Sequence, residues 1–288
     1  MTAPEGVVLV DKPGGITSHD AVARVRRALA TKKVGHAGTL DPMATGLLVM
    51  GVGRATRLLR FLGDLPKVYE GAFVLGVTTA TLDADGEVIA REDAGHVTRD
   101  AVRAAMDAKL GASAQRPPAY SAVKVGGRTL HEAARAGEPI EAPARIVRVD
   151  RFDLVAMRDA EVRFRATVSS GTYVRVLAAD VGDAVGVGAH LTALRRTAIG
   201  SFRVADARPP EDPGTPLPVA AAVAHLPRLD LDALEAEAAG HGRVLGPAGI
   251  DGPYTVYGPG NRLIGIWRDD GPKARPEMVL STRADGEG

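Results

Sequence analysis

One carboxylate stands out for its setting. The segment Gly35-His36-Ala37-Gly38-Thr39-Leu40-Asp41-Pro42-Met43-Ala44-Thr45-Gly46 surrounds Asp41 with glycines and follows it with proline. Glycine permits positive φ and close backbone approach, and Pro42 fixes the residue after the carboxylate, so Asp41 is expected on a rigid, tightly turned loop. A carboxylate presented this way can attack a carbon centre or accept a proton. An Asp beside Pro and Gly also commonly caps a helix or turn, and spacing alone does not separate the two roles. Metal chemistry has little to draw on. The seven histidines form no His-x-x-x-His pair, Asp83-Ala84-Asp85-Gly86 is an incomplete calcium loop, and no Gly-Lys-Ser phosphate loop is present.

The loop must be held by its flanks. Residues 6–10 form a short β-branched run that predicts a buried strand, stopped by Asp11-Lys12-Pro13-Gly14-Gly15. Thr17 and Asp20 have capping-box spacing, and Val22, Val25 and Leu29 then recur at helical spacing while Arg24, Arg26 and Arg27 take the other faces. Residues 47–52 are a second apolar run, and 55–62 resume a helical pattern. Tyr69, Gly71, Phe73, Leu75 and Val77 alternate as a strand, with a turn at 83–86. A helix capped by Thr98 is expected over 98–110, ended at Gln115-Arg116-Pro117-Pro118. Residues 124–148, rich in Gly and Arg around a helical piece at 130–136, read as an excursion from the core. A strand over 161–169, a helix through Val176 and Val181 and a strand-like stretch over 194–204 follow. Five prolines in 208–218 mark a linker, and short strands at 254–257, 263–267 and 277–280 suggest a small β-rich module.

A chain of 288 residues, 45% hydrophobic, can bury one large core with or without an appendage. Cysteine is absent, which excludes disulfides and fits a reducing compartment. The opening Met1-Thr2-Ala3-Pro4-Glu5 lacks the pattern of an export leader, and no apolar run approaches the roughly 20 residues of a membrane span. A soluble, cytoplasmic protein is expected. Net charge is +1 overall but +5 over residues 1–60, −4 over 61–115, +5 over 116–210 and −5 over 211–288. Two basic blocks could fold into one phosphate-neutralising face, although plain surface arginines would give the same count.

Gly-His-x-Gly-Thr-Leu-Asp-Pro-x-Ala-x-Gly resembles the catalytic motif of the TruB family of tRNA pseudouridine synthases. Other segments resemble that family in the same order: Val10-Asp11-Lys12-Pro13-Gly14-Gly15-Ile16-Thr17-Ser18, Lys67-Val68-Tyr69-Glu70, Pro117-Pro118-Ala119-Tyr120-Ser121-Ala122-Val123-Lys124, Gly171-Thr172-Tyr173-Val174-Arg175, and Leu194-Arg195-Arg196-Thr197. The similarity spans about residues 6–204.

The resemblance implies an α/β (α+β) pseudouridine synthase fold: a mixed, largely antiparallel central sheet, an RNA-binding insertion near 120–150, and a small β-rich, PUA-like C-terminal domain. It implies a catalytic domain over 1–210 and the appendage over 225–288, with chemistry surviving loss of the latter. It implies isomerisation of the T-loop uridine of tRNA, position 55, by base flipping, with no cofactor or metal, by a monomer whose partner is the tRNA T arm. Asp41 would be the catalytic carboxylate, Arg175 its partner and Tyr69 the stacking aromatic. Leu194 would pack on the flipped base, and His36 would fill the space it leaves or contact T-loop nucleotides. Lys12 would support the loop or a phosphate, while Arg135, Arg145 and Arg148 grip the RNA. The acidic appendage would depend on Arg262, Arg268, Lys273 and Arg275 for any phosphate contact. Two rivals are a noncatalytic RNA-binding protein on the same core and a metal-dependent nuclease using Asp41 with Asp83 or Asp85.

Overall fold

A computed structural model describes residues 3–280. Met1 and Thr2, part of the opening segment read above, and residues 281–288 lie outside the described residues.

In chain order, β1 (Gly6–Lys12) leads to α1 (Ser18–Ala28), then β2 (Val34–His36) and β3 (Thr45–Val52). A 3-10 segment, Gly53–Leu62, precedes β4 (Lys67–Leu75) and the hairpin of β5 (Val77–Thr79) and β6 (Val88–Arg91). Then come α2 (Arg99–Asp107), β7 (Gly111–Gln115), the small β8 (Lys124–Val125) and β9 (Arg128–Thr129), α3 (Leu130–Arg135), β10 (Arg145–Arg158), β11 (Glu161–Val168), α4 (Val174–Ala184), β12 (Ala189–Ile199) and β13 (Phe202–Arg203). The C-terminal part holds β14 (Arg228–Asp230), α5 (Ala233–Gly240), β15 (Pro253–Gly258), β16 (Arg262–Asp270) and β17 (Lys273–Val279).

The main sheet runs β1-β3-β12-β4-β11-β10-β7, and only the β3–β12 contact along it is parallel. The expected mixed, largely antiparallel sheet is what forms. Its two ends differ for a reason readable in the residues. β1 and β3 are apolar on both faces because both are covered: Val8 and Val10 pack with Val22 and Val25 of α1, while Val7 and Leu9 pack with Leu58, Leu62 and Val223. β11 alternates, with Val162, Phe164, Ala166 and Val168 turned to the core and Glu161, Arg163 and Arg165 to solvent. The capping box at Thr17 and Asp20 and the cap at Thr98 form as spaced.

Two expectations are corrected. Residues 145–148 are not part of the excursion: they begin β10, paired with β7, so the insertion is confined to 116–144. Alternation there was masked by the surrounding Gly and Arg composition. Residues 208–218 are not a free linker either. Val7 and Leu217 exchange backbone hydrogen bonds, Asp11 N–H donates to Arg208 O, Arg208 N–H donates to Leu9 O, and Arg24 pairs with Glu211 at 2.6 Å. The proline-rich stretch thus covers the outer edge of β1, where missing N–H donors cost nothing. The C-terminal domain is β-rich as expected, a four-stranded sheet on which α5 packs Ala236 and Ala239 against Tyr254, Val256 and Trp267. Its opposite face, through Ile266 and Met278, together with Leu280, joins the same apolar cluster as Val7, Leu58, Leu62, Ala222 and Val223.

Candidate active site

The Asp41 loop is fastened from three directions. Lys12, fully buried at the end of β1, donates from Nζ to the carbonyls of Pro13 (2.9 Å), Ile16 (2.7 Å) and Pro42 (3.2 Å). Ser18, the first residue of α1, donates from Oγ to Leu40 O at 3.1 Å and accepts from Leu40 N–H at 2.9 Å. Arg196 on β12 donates to the carbonyls of Leu47 (2.7 Å), Gly38 (3.0 Å) and Thr39 (3.4 Å). Gly46 allows the parallel crossing beside it: a Cβ there would stand 2.3 Å from Arg196 O, and its φ is +101°.

Asp41 projects from this loop into a cleft of roughly 380 Å³. The base and sides are Leu40, Lys67, Tyr69, Leu194 and Arg196, and the far wall is Tyr173, Arg175, Arg145 and the insertion residues Ser121, Ala122 and Val123. Arg175 is 4% exposed, and its Nε stands 3.5 Å from Asp41 Oδ2. Its remaining nitrogens are committed: Nη1 donates to Thr81 O at 2.8 Å and Nη2 to Tyr120 O at 2.6 Å, with Asp83 Oδ2 3.6 Å from Nη1. Asp83 is itself buried and fixed by Thr81 Oγ1–H and Asp85 N–H. One guanidinium therefore serves two carboxylates. Burial raises the Asp41 carboxyl above its ordinary value, Arg175 opposes that rise, and Asp83 and Asp85 add to it. A base that is less solvated than usual yet held against a fixed cation suits nucleophilic or proton-accepting work.

The sequence candidates divide accordingly. Asp41, Tyr69, Arg175, Leu194 and Arg145 all line the cleft. His36 is adjacent to it on β2, edge-to-face with His19 at 5.8 Å, and burial lowers its pKa, helped by the charges of His19 and Arg196. The phosphate reading of Lys12 is corrected, because its ammonium is fully buried and spends its donors on three carbonyls. Arg148 is corrected too. It lies an odd number of residues from Arg145 on β10, hence on the opposite face of the sheet, where it pairs with Asp150 at 2.6 Å. Arg135 stands exposed on α3, away from the cleft lining. In the C-terminal domain Arg268 pairs with Glu277 and Arg275 with Asp270, which leaves little free positive charge there.

Sequence reasoning passed over Arg196, Ser18, Tyr173 and Gln115. Each sits in or beside a quoted motif, but their tasks depend on partners remote in sequence. Gln115, for example, exchanges two hydrogen bonds with the Tyr173 backbone, at 2.8 and 3.2 Å. Among the described residues, no three His, Cys, Asp or Glu side chains group as a metal site requires. No helix among them is long and apolar enough to cross a membrane.

A Lys12→Met variant is expected to lower the single-turnover rate by about 10²-fold, since the loop loses its buried donor, while leaving substrate affinity within a few-fold. Burial lowers the Lys12 pKa to about 8, so wild-type turnover should also decline above that pH as the amine loses one N–H. A rate unaffected by Lys12→Met would mean that Ser18 and Arg196 suffice to hold the loop.

The fold, with Asp41 beside a buried arginine, is that of a pseudouridine synthase, and known proteins agree. Residues 26–174 match the family described as TruB family pseudouridylate synthase (N terminal domain), residues 175–209 the tRNA pseudouridylate synthase B C-terminal domain, and residues 226–281 the tRNA Pseudouridine synthase II, C terminal. The chain belongs to the TruB family. It is 46% identical over 284 residues to tRNA pseudouridine synthase B of Mycobacterium bovis, covering 96% of this chain and 95% of that one. It is 47% identical over 297 residues to the Mycolicibacterium paratuberculosis protein of that name, covering 96% and 98%. Among solved structures, a chain of a Cbf5-Nop10-Gar1 complex superposes with a TM-score of 0.73 at 27% identity, covering 95% of this chain and 84% of that chain. An H/ACA RNP bound to a substrate RNA containing 2′-deoxyuridine gives 0.72 at 25% identity, covering 96% and 86%.

Proposed function

We propose that this enzyme isomerises uridine to pseudouridine in the T loop of tRNA, at position 55, acting as a cytoplasmic monomer. The observation that carries the reading is the Asp41–Arg175 pair lining one cleft with Tyr69 and Leu194, wide enough for one extruded nucleotide. The N1–C1′ bond breaks, the base turns, a C5–C1′ bond forms, the C5 proton leaves and N1 takes up a proton. Asp41 acts at the sugar, by attack on C1′ or by accepting the C2′ proton. Arg175 keeps it ionised and aimed, the Tyr69 ring holds the base, and the Tyr69 hydroxyl, 3.5 Å from Arg196 Nη1, is placed to handle the C5 proton. Atoms and electrons balance within the substrate, so no cofactor is called for. In this reading residues 1–210 carry the chemistry, with the insertion as grip, and 225–288 completes the apolar cluster over β1 and β3.

The nuclease rival finds no support in Asp83, whose carboxylate is engaged by Arg175, Thr81 and the Asp85 backbone. The noncatalytic rival has no use for a carboxylate kept within reach of a buried arginine. A synthetic T-arm hairpin incubated with the protein in excess chelator is expected to gain one pseudouridine, at the T-loop position, with its strand intact. Strand cleavage, modification elsewhere, or an absolute metal requirement with the hairpin already folded would overturn the reading.

A further inference from the structure

Three guanidinium groups line the cleft, and two of them are each held by several protein oxygens. Arg175 serves Asp41, Asp83 and two carbonyls, and Arg196 serves three carbonyls and the Tyr69 hydroxyl. Arg145 is different. Its side chain forms no salt bridge or hydrogen bond among the described residues, and its Nε, like that of Arg175, is buried without a hydrogen-bond partner, with no carboxylate beside it. The contrast with its neighbours is sharp, because Arg116, Arg128, Arg148, Arg151, Arg163 and Arg165 each have a carboxylate within 4.0 Å.

The position of Arg145 is nevertheless built. Its guanidinium stacks on the Tyr173 ring, 4.8 Å from the centroid, and Tyr173 is pinned through its backbone by Gln115, the residue paired with Arg145 across β7 and β10. Gly171, at φ +78°, leaves room behind it: a Cβ there would meet the guanidinium carbon at 3.3 Å. A second orphan lies in the same wall. Ser121 is 5% exposed, and its buried Oγ has no hydrogen-bond partner. Buried polar atoms are nearly always satisfied, and a permanent cation with a hydroxyl left open at one wall of a cleft marks a place for an anion with several acceptor oxygens.

We propose that Arg145 and Ser121 form a clamp for a phosphodiester flanking the extruded uridine. This rests on the reaction proposed above and adds to it. Base flipping turns the backbone about the target nucleotide, so the adjacent phosphate must be held in its rotated position while Asp41 acts at the sugar. Arg145 enters from the neck of the insertion and Ser121 from the insertion itself. The clamp thereby makes this segment part of the catalytic cleft, in addition to any outer grip.

The test uses the full chain and T-arm hairpins in which the phosphate 5′ or 3′ of the target uridine is replaced by an uncharged methylphosphonate. Arg145→Met is expected to weaken binding of the unmodified hairpin by about 10–100-fold and to reduce the slope of log K against log salt by roughly 0.7, one phosphate's share on a single strand. Ser121→Ala, a change that leaves the fold undisturbed, should weaken binding by about 5–10-fold. On one of the two methylphosphonate hairpins both penalties should shrink to within about twofold, and which hairpin responds identifies the phosphate. Penalties of equal size on all three hairpins, or no penalty on the unmodified one, would overturn the clamp while leaving the reaction intact. Failure of the wild-type protein to form pseudouridine in the unmodified hairpin would overturn the reaction, and the clamp with it.

Discussion

An Asp41→Asn variant is expected to lose more than about 10³-fold in single-turnover rate while binding tRNA within about threefold of wild type, because it removes the reacting oxygen and keeps the shape. The same substitution should make the protein harder to unfold at neutral pH. The folded environment raises the Asp41 pKa, so the stability that the protonated carboxyl contributes is present below its ordinary value of 3.8 and is lost as pH rises through the folded value. Asparagine stays neutral and does not incur that loss. The variant's melting temperature should therefore match wild type at about pH 3 and exceed it at pH 7, and the acid limb of the wild-type rate should lie above 3.8. A variant that melts lower at pH 7, or that retains a substantial share of turnover, would mean that the Arg175 pairing outweighs burial or that another group performs the chemistry.

Ending the chain after Pro210 is expected to destroy the fold rather than trim an accessory. It removes Leu217 from its hydrogen bonds to Val7 and strips Ala222, Val223, Ile266, Met278 and Leu280 from the cluster that covers one face of β1 and β3. Each large apolar side chain lost from such a cluster costs about 1.5–3 kcal/mol, so Val223, Ile266, Met278 and Leu280 together cost about 6–12 kcal/mol, comparable with the roughly 5–15 kcal/mol by which a domain is stable. Insoluble protein, or soluble protein without cooperative melting, is the expected outcome. A folded chain of this length that modifies the hairpin would show that the cluster is dispensable and restore the simpler division at residue 210.

What could be read in advance had local causes. The capping box at Thr17, the alternation of β11 and the two-sided apolar run of β1 are set by residues within one or two turns of each other. The Asp41 loop was equally visible, since its glycines and proline state its geometry. What could not be read depends on separation. Arg196 reaches Gly38 O across 158 positions, and Arg175 reaches Thr81 O across 94. Nothing near either arginine names those acceptors. The 116–210 excess of basic residues left two readings open, and the pairings on β10 and β11 leave it nearly unchanged: Asp150, Asp153 and Glu161 are already inside that net count, and only Glu70, which pairs with Arg165, comes from outside it. The resemblance to a family supplied roles, and the residues that make those roles possible had to come from coordinates.

The backbone cover of β1 by residues 208–217 also bears on how the chain is made. β1 leaves the ribosome before the other strands of its sheet, and the segment that seals its outer edge is synthesised about 200 residues later. At roughly 5–20 residues per second, that edge waits about 10–40 s with its N–H and C=O groups unpaired. An exposed, apolar edge strand is a template for wrong pairing. Nascent chains stalled before residue 217 should accordingly be the species most prone to aggregate and most dependent on chaperones, and crowding on the ribosome would matter more for this enzyme's yield than the stability of the finished fold.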